Sequence, residues 1–465
     1  MSTVPHPHST ENPQHELEEF GYRQELRRTM SLADVVIYGL IYMVPMAPVA
    51  VFGTIHAFAH GMSALVYVVA AIAMVFSAIS YREMALRYPI AGSVYSYVRR
   101  GVHPFAGFLS GWAILLDYLL LPALLSVFAA VAMTSLVPAI PAWIWIAVFV
   151  IAAAAINLVG IKFTARMNLI FLLIQLIVLA VFVGAAIVAV SQGNGSLTWG
   201  PLYRPEDFSW AIVFGAIPLA ALSFIGFDAI STLNEEAKGG GPAVARATMI
   251  VLVAVAVLFI TQVYFAAAFA PADGVFGSAT DELNAFYNIS GTVLGDWFRV
   301  VVTLTSALIA IFANSIASQA TSSRLIFSMA RDRQLPKFLA YVTPKRQVPQ
   351  NALLFIAAIS LAIGVLGAEN STLLTTLVTF GALTAYIMLH IAVFWHLGIR
   401  GGRNRRLFAH LISPVLGAAV LVYALWSADA NAKILGLSWL AIGVVIAVIQ
   451  ARRGTLEIRE HDPVG

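Results

Sequence analysis

The sequence predicts an all-α membrane protein with twelve transmembrane helices, and three observations carry that prediction. Apolar stretches of about 20 residues recur along the chain, each long enough to cross ~30 Å of hydrocarbon as a helix that satisfies its own backbone. Hydrophobic residues make up 60% of the 465 and charged residues 11%, against ~45–50% and ~25% in a soluble domain. Basic residues crowd alternate loops and nearly vanish from the others.

Composition narrows the chemistry as well. With 0 cysteines, disulfide frameworks, thiolate catalysis and Cys-based metal centres are excluded. The net charge of +4 sits in loops flanking the spans, where it reads as anchoring at a membrane face and not as a nucleic-acid surface. No GxSxG, HExxH or GxxxxGK[ST] motif is present, and the histidine spacing suggests no metal site, so no catalytic residues, metal or cofactor are expected.

The elements follow in order. Residues 1–29 carry Arg23, Arg27 and Arg28 with no apolar core, and are expected to form a disordered cytoplasmic tail without a cleavable signal. Span 1 (32–57) contains Pro45 and Pro48, each of which removes an amide donor and clashes with the preceding turn, so a continuous helix is not expected there. Span 2 (62–81) is followed by Arg82, Arg87, Arg99 and Arg100. Span 3 (105–134) carries Asp117 about twelve residues in, ~18 Å along the helix and near mid-bilayer. Span 4 (141–159) precedes Lys162 and Arg166, and span 5 (167–190) offers Asn168 and Gln175 as its polar residues.

Span 6 (211–234) is broken by Pro218, Gly226 and Asp228, and ends at Glu235 and Glu236. Asp228 and Glu235 are seven residues apart, two turns along nearly one face, so both fit a common passage; a solvated helix end beside Lys238 fits Glu235 and Glu236 equally. Span 7 (247–270) and span 8 (297–327) flank an acidic stretch, Pro271 to Asp296, expected as an outward-facing loop. Spans 9 (352–367), 10 (372–396), 11 (408–426) and 12 (434–451) complete the set. His390 in span 10 fits either a proton relay or a histidine bonded to a carbonyl. All Lys and Arg except Arg204, Arg299 and Lys433 fall on the face that holds both termini. The positive-inside rule makes that face cytoplasmic.

Spans 1 and 6 are both interrupted and lie five apart, an odd number. A five-helix unit repeated from span 6 is therefore inverted relative to the first, and interrupted helices at matching positions of inverted halves point to a transporter's midplane site. Asp117 and Asp228 strengthen that reading, because a carboxylate at such depth costs several kcal/mol unless paired or hydrated.

Three long segments carry a family resemblance: RYPIAGSVYSYVRRGVHPFAGFLSGW after span 2, SFIGFDAISTLNEEAKGGG in span 6, and SSRLIFSMARDRQLPKFLAYVTPKRQVP after span 8. With them the chain resembles the amino acid, polyamine and organocation (APC) superfamily of permeases over roughly residues 30 to 455. YGLIYMVPMAP in span 1 and GWAILLDYLLLP in span 3 make it most similar to the bacterial putrescine importer family. The resemblance implies a five-plus-five inverted repeat (LeuT-like) with peripheral spans 11 and 12, in a transporter domain over 30–455 followed by a cytoplasmic C-terminal tail at 456–465. It also implies a bacterial inner-membrane location and secondary uptake driven by an ion gradient, protons before sodium. Unwound segments are implied around Tyr42 to Pro45 and Ser223 to Asp228, with a span 3 site at Asp117 and Tyr118. Where amino-acid permeases of this superfamily show small residues in span 1, this chain has Ile41-Tyr42-Met43-Val44-Pro45. Small residues expose backbone N–H groups to a carboxylate, so their loss weakens the case for a carboxylate-bearing substrate. The span 5 lysine of some proton-coupled relatives is also missing.

The expected substrate is accordingly a small organic cation, putrescine first. Its ammonium groups would lie opposite Asp117 and Asp228, with Tyr42, Tyr118 and Phe224 giving cation–π contacts and Pro45, Ser223 and Gly226, in the unwound segments, completing the expected substrate-binding set. One of two neighbouring carboxylates would hold a proton until the substrate displaces it, with Asp228, Glu235 and Glu236 as the coupling or gating candidates. The alternative at this point is an amino-acid or thio-sugar permease on the same fold. Membrane lipid is the one other partner expected.

Overall fold

Helices form where the apolar runs predict them and stop where proline, glycine or a polar cap intervenes. The computed structural model describes residues 30–88, 93–159, 165–235, 237–331, 335–343, 348–402 and 405–452. The expected tails at 1–29 and 456–465 lie outside those residues. Among the described residues there is no strand, only an isolated bridge between Met30 and Ala237. Ten helices are long and apolar enough to cross a membrane.

Span 1 divides into α1 (Leu32–Tyr42), a short 3-10 turn (Ala47–Ala50) and α2 (Phe52–Phe58). A capping box starts α1: the Ser31 hydroxyl accepts the Asp34 N–H at 3.3 Å and the Asp34 carboxylate accepts the Ser31 N–H at 2.8 Å, a reciprocal arrangement that satisfies two free amides. Then come α3 (Ser63–Arg87), α4 (Pro104–Leu136), α5 (Ala142–Val159) and α6 (Ala165–Ser191). Span 6 gives α7 (Trp210–Phe224) and a 3-10 helix over Phe227–Glu235, followed by α8 (Gly240–Ala267). At 15 residues α7 is short for a crossing helix, because the break at Ile225 and Gly226 takes the rest of the span out of it. Span 8 runs through Asp296–Leu304 and a π-helical segment, Thr305–Ile311, into α9 (Phe312–Arg331). The remaining helices are α10 (Gln350–Gly367), α11 (Ser371–Val393), α12 (Ser413–Ser427) and α13 (Ala430–Arg452). The apolar stretch Gln350–Ile399 is helical throughout, with a 3-10 turn at Ala368–Asn370 dividing α10 from α11.

The expected loop from Pro271 to Asp296 requires a correction, since it contains two short helices, Ala279–Leu283 and Ala285–Leu294. The Ser278 hydroxyl accepts the Asp281 N–H at 3.1 Å and donates to the Asp281 carboxylate at 2.7 Å. A Ser N-cap with acids in the first turn is a helix start, which the turn-forming residues of the stretch masked.

The core centres on α4. Its most apolar window is 83% buried, against 17% for α13, so α4 runs through the middle of the bundle and α13 along its outside. Close packing of α11 on α4 depends on Gly381, where a Cβ would lie 2.6 Å from the Ala113 carbonyl oxygen and 3.0 Å from the Asp117 amide. Two side-chain pairs attach the outer helices. Trp112 and Trp439 stack at 4.5 Å, and each indole N–H donates to the other's carbonyl at 2.8 Å. The other pair joins α3 to the segment preceding α12: His410 Nε2 lies 3.0 Å from Glu83 Oε2, while His410 Nδ1 accepts the Arg406 N–H at 3.0 Å. Because Nδ1 is an acceptor, Nε2 carries the proton and donates to the carboxylate. Glu83→Ala should therefore destabilise the protein by roughly 2 kcal/mol. Glu83→Gln, whose carboxamide oxygen still accepts from His410, should lie between Ala and wild type in a thermal unfolding series.

Candidate functional site

Two helix breaks meet at the centre of the bundle, and each follows from local chemistry. In the first, Pro48 has no N–H for the Val44 carbonyl, which accepts the Ala47 N–H at 2.8 Å instead. Val44 takes a φ of 52°, a left-handed conformation that β-branched residues avoid. The Pro45 carbonyl, freed by the same break, accepts from Gln262 Nε2 on α8 at 2.9 Å. In the second, Ile225 is extended and Gly226 has a φ of 118°. A Cβ on Gly226 would lie 2.6 Å from Tyr42 Cδ1. The breaks therefore touch each other, Tyr42 from one against Gly226 of the other.

Two carboxylates sit beside this contact. Asp228 is 4% exposed and accepts a hydrogen bond from the Tyr386 hydroxyl at 3.3 Å. Asp117, also 4% exposed, has its Oδ1 without a hydrogen-bond partner among the described residues. Asp117 and Asp228 are near enough to act on each other electrostatically, and both act on Tyr42, Tyr118 and Tyr386. Among the described residues no Lys, Arg or His lies within ion-pair distance of either. Two buried acids with no basic partner form a cation-attracting centre, since an unpaired carboxylate in a low-dielectric interior is costly until a positive charge or a proton arrives.

Next to the acids lies a cavity of about 50 Å³, room for roughly four waters at ~10–15 Å³ each. Its walls come from both breaks (Tyr42, Met43, Val44, Ser223 and Ile225), from α4 (Leu121, Leu125, Phe128) and from Ile311 and Asn314 of span 8. Neither carboxylate lines it. Asp117 is one helical turn from Leu121 and Asp228 three residues beyond Ile225, so the acids lie just past one end of a mainly apolar chamber.

The other sequence-predicted positions fall out as follows. Tyr42 lies near Thr321, and the Tyr118 carbonyl accepts from the Ser322 hydroxyl at 2.6 Å, which fixes the register of α9 against α4. Ser223 pairs with the Tyr67 hydroxyl at 2.9 Å. Phe224 does not offer a face to the site: it is 0% exposed and packs 5.1 Å from Phe259 and 6.2 Å from Tyr67. Successive helix positions differ by about 100°, so with Ser223 on the chamber side its neighbour points into the core. Glu235 ends the 3-10 helix, with its side chain outside the described set, and Glu236 lies outside the described residues altogether. The ring of His390 bonds two hydroxyls and no carbonyl: Nε2 meets the Ser77 hydroxyl at 3.2 Å and Nδ1 the Ser80 hydroxyl at 2.8 Å, which clamps α11 to α3.

Sequence reasoning missed Tyr386, Tyr81 and Asn314. Tyr81 and Tyr386 meet edge to face at 5.7 Å, and Phe227 lies 5.4 Å from each, an aromatic cluster around the Asp228 side of the site. The available signals were tyrosines in mid-span and the polar run NSIASQATSS in span 8.

Comparison with known proteins agrees with this architecture. A family model described as amino acid permease matches residues 30–449. The chain is 34% identical to the low-affinity putrescine importer PlaP of Escherichia coli (strain K12), covering 91% of this chain and 93% of that one. It is 26% identical to the branched-chain amino acid permease BcaP of Bacillus subtilis (strain 168), over 92% and 94% of the two chains, and 25% identical to the methylthioribose transporter of the same organism, over 93% and 95%. With ten helices suited to crossing a membrane among the described residues, paired helix breaks and a match along nearly its whole length, the chain belongs to the amino acid permease family of membrane transporters.

Proposed function

We propose that the protein imports a small organic cation, putrescine or a similar polyamine, by proton-coupled symport across the bacterial inner membrane. The observation that carries the reading is the pair Asp117 and Asp228, buried beside two helix breaks with no basic partner among the described residues. The similarity to a putrescine importer supports the same substrate class. The amine's ammonium replaces a proton held between the two acids, Tyr118 and Tyr42 add π-faces worth about 0.5–2 kcal/mol each, and the apolar chamber takes the methylenes. That exchange ties uptake to the proton gradient, with Asp228, Glu235 and Glu236 as the coupling or gating candidates. The supporting architecture is one transporter domain of twelve crossings over 30–455, with α10 and α11 as separate crossings and α7 with its 3-10 extension as one. Spans 1–5 and 6–10 are inverted repeats, and both termini and their tails are cytoplasmic.

The test is uptake of radiolabelled putrescine into proteoliposomes of purified protein under an imposed proton gradient. Unlabelled diamines should compete, leucine and methylthioribose should not, and a protonophore should collapse accumulation while sodium removal leaves it intact. Competition by leucine without competition by diamines would replace this reading with that of an amino-acid permease.

A further inference from the structure

The two ends of the chamber differ in charge. At one end stand the carboxylates of Asp117 and Asp228, whereas none of the described residues along the chamber wall is charged. Three wall residues carry polar side-chain groups: Tyr42, Ser223 and Asn314. Tyr42 lies near Thr321, and the Ser223 hydroxyl is engaged by Tyr67 at 2.9 Å. The Asn314 carboxamide, half-buried, has no side-chain hydrogen bond among the described residues, and it is the one carboxamide among the described wall residues.

Its position along the site follows from the helix register. Ser322 is bonded to the Tyr118 carbonyl, next in sequence to Asp117, and Asn314 is eight residues before Ser322. At 1.5 Å per residue it lies about 12 Å along α9 from the level of the acids. The π-helical segment Thr305–Ile311 ends three residues before it, and Ile311 lines the same wall. Such widened turns recur at functional sites.

We propose that Asn314 is a specificity-determining residue that reads the far end of the substrate. Resting on the cation reading above, this adds that one end of the substrate must be an ammonium, for the acids, and that the other must form hydrogen bonds but need not be charged. A carboxamide offers an acceptor oxygen and a donor NH₂, so it satisfies a second ammonium or a hydroxyl alike and leaves a methyl group facing an unpaired amide. A diamine's second charge receives one neutral partner there and no counter-ion.

The experiment is a competition series against labelled putrescine in proteoliposomes, using 4-amino-1-butanol and 1-pentylamine, for wild type, Asn314→Leu and Asn314→Asp. In wild type, the amino alcohol should compete within about threefold of putrescine and pentylamine about tenfold more weakly, because a polar site rejects an analogue lacking its hydrogen-bonding group. Asn314→Leu should reverse the order of putrescine and pentylamine. Asn314→Asp should strengthen putrescine at least about tenfold over the amino alcohol, since the second ammonium then meets a carboxylate. An unchanged putrescine-to-pentylamine ratio in a transporting Leu variant overturns the proposal. If that variant does not fold, an unchanged putrescine-to-amino-alcohol ratio in the Asp variant overturns it equally. In both cases wild-type putrescine uptake persists and the cation reading stands. If wild type takes up no amine and accumulates an amino acid or a thio-sugar, both fall together.

Discussion

Asp228→Asn should abolish concentrative putrescine uptake while leaving the protein folded. The substitution keeps the shape of the side chain and an oxygen that can accept from the Tyr386 hydroxyl, now 3.3 Å from Oδ1, so the aromatic cluster of Tyr81, Phe227 and Tyr386 has no reason to repack. What disappears is the charge. Removing one partner of a buried ion pair costs about 3–5 kcal/mol, roughly a hundredfold or more in affinity at 1.4 kcal/mol per factor of ten. Proton exchange is lost as well, because an amide cannot hold and release the proton whose departure accompanies substrate binding. Two measurements separate these effects. Equilibrium putrescine binding to the purified variant should weaken by that factor, and accumulation against a gradient should vanish even at saturating putrescine. Tyr386→Phe, which removes only the hydrogen bond, should lower uptake several-fold and retain coupling. An Asp228→Asn protein that still accumulates putrescine would remove this carboxylate from the mechanism.

Local chemistry made the helix breaks readable in advance. Pro45 and Pro48 lack amide hydrogens wherever the chain folds, and Gly226 followed by an acid in an apolar run is unusual in any context, so both interruptions could be placed from sequence alone. Apolar length located the crossing helices in the same way, and it failed where a break shortened one, as in α7, where a cap started one, as at Ser278, and where a helix is polar, as at Ser93–Gly101. The site was half readable. Asp117 and Asp228 announce themselves as charges in oil, but their company does not: Tyr386 and Asn314 come from α11 and α9, brought in by tertiary packing that no local pattern encodes. Phe224 shows the complementary failure. Its neighbour Ser223 lines the chamber, and the helix rotation of one residue turns the Phe224 ring into the core against Phe259. Spacing along a broken helix could not supply that rotation, because the break itself resets the face.

Gly226→Ala should be nearly as damaging as loss of the acid, for a steric reason instead of an electrostatic one. At a φ of 118° an L-residue is strained by about 1–3 kcal/mol, and the added methyl would sit 2.6 Å from the Tyr42 ring. The ring must move or the backbone must rotate. A displaced Tyr42 intrudes on the chamber it lines, while a rotated backbone re-aims Asp228, two residues on. Either response misplaces a group that meets the substrate, so putrescine uptake should fall by more than about tenfold. Gly193→Ala is the control, because Gly193 has a φ of 86° and an added methyl there would meet nothing within 4 Å; it carries backbone strain without the clash and should transport normally. A second comparison identifies the clash itself: combining Gly226→Ala with Tyr42→Leu, which removes the ring edge, should recover part of the thermal stability lost by the single substitution but not its uptake, since Tyr42 is itself part of the chamber wall. Wild-type uptake by Gly226→Ala would mean that the contact between the two breaks is dispensable, and that the acids work without the close approach of Tyr42 that now frames them.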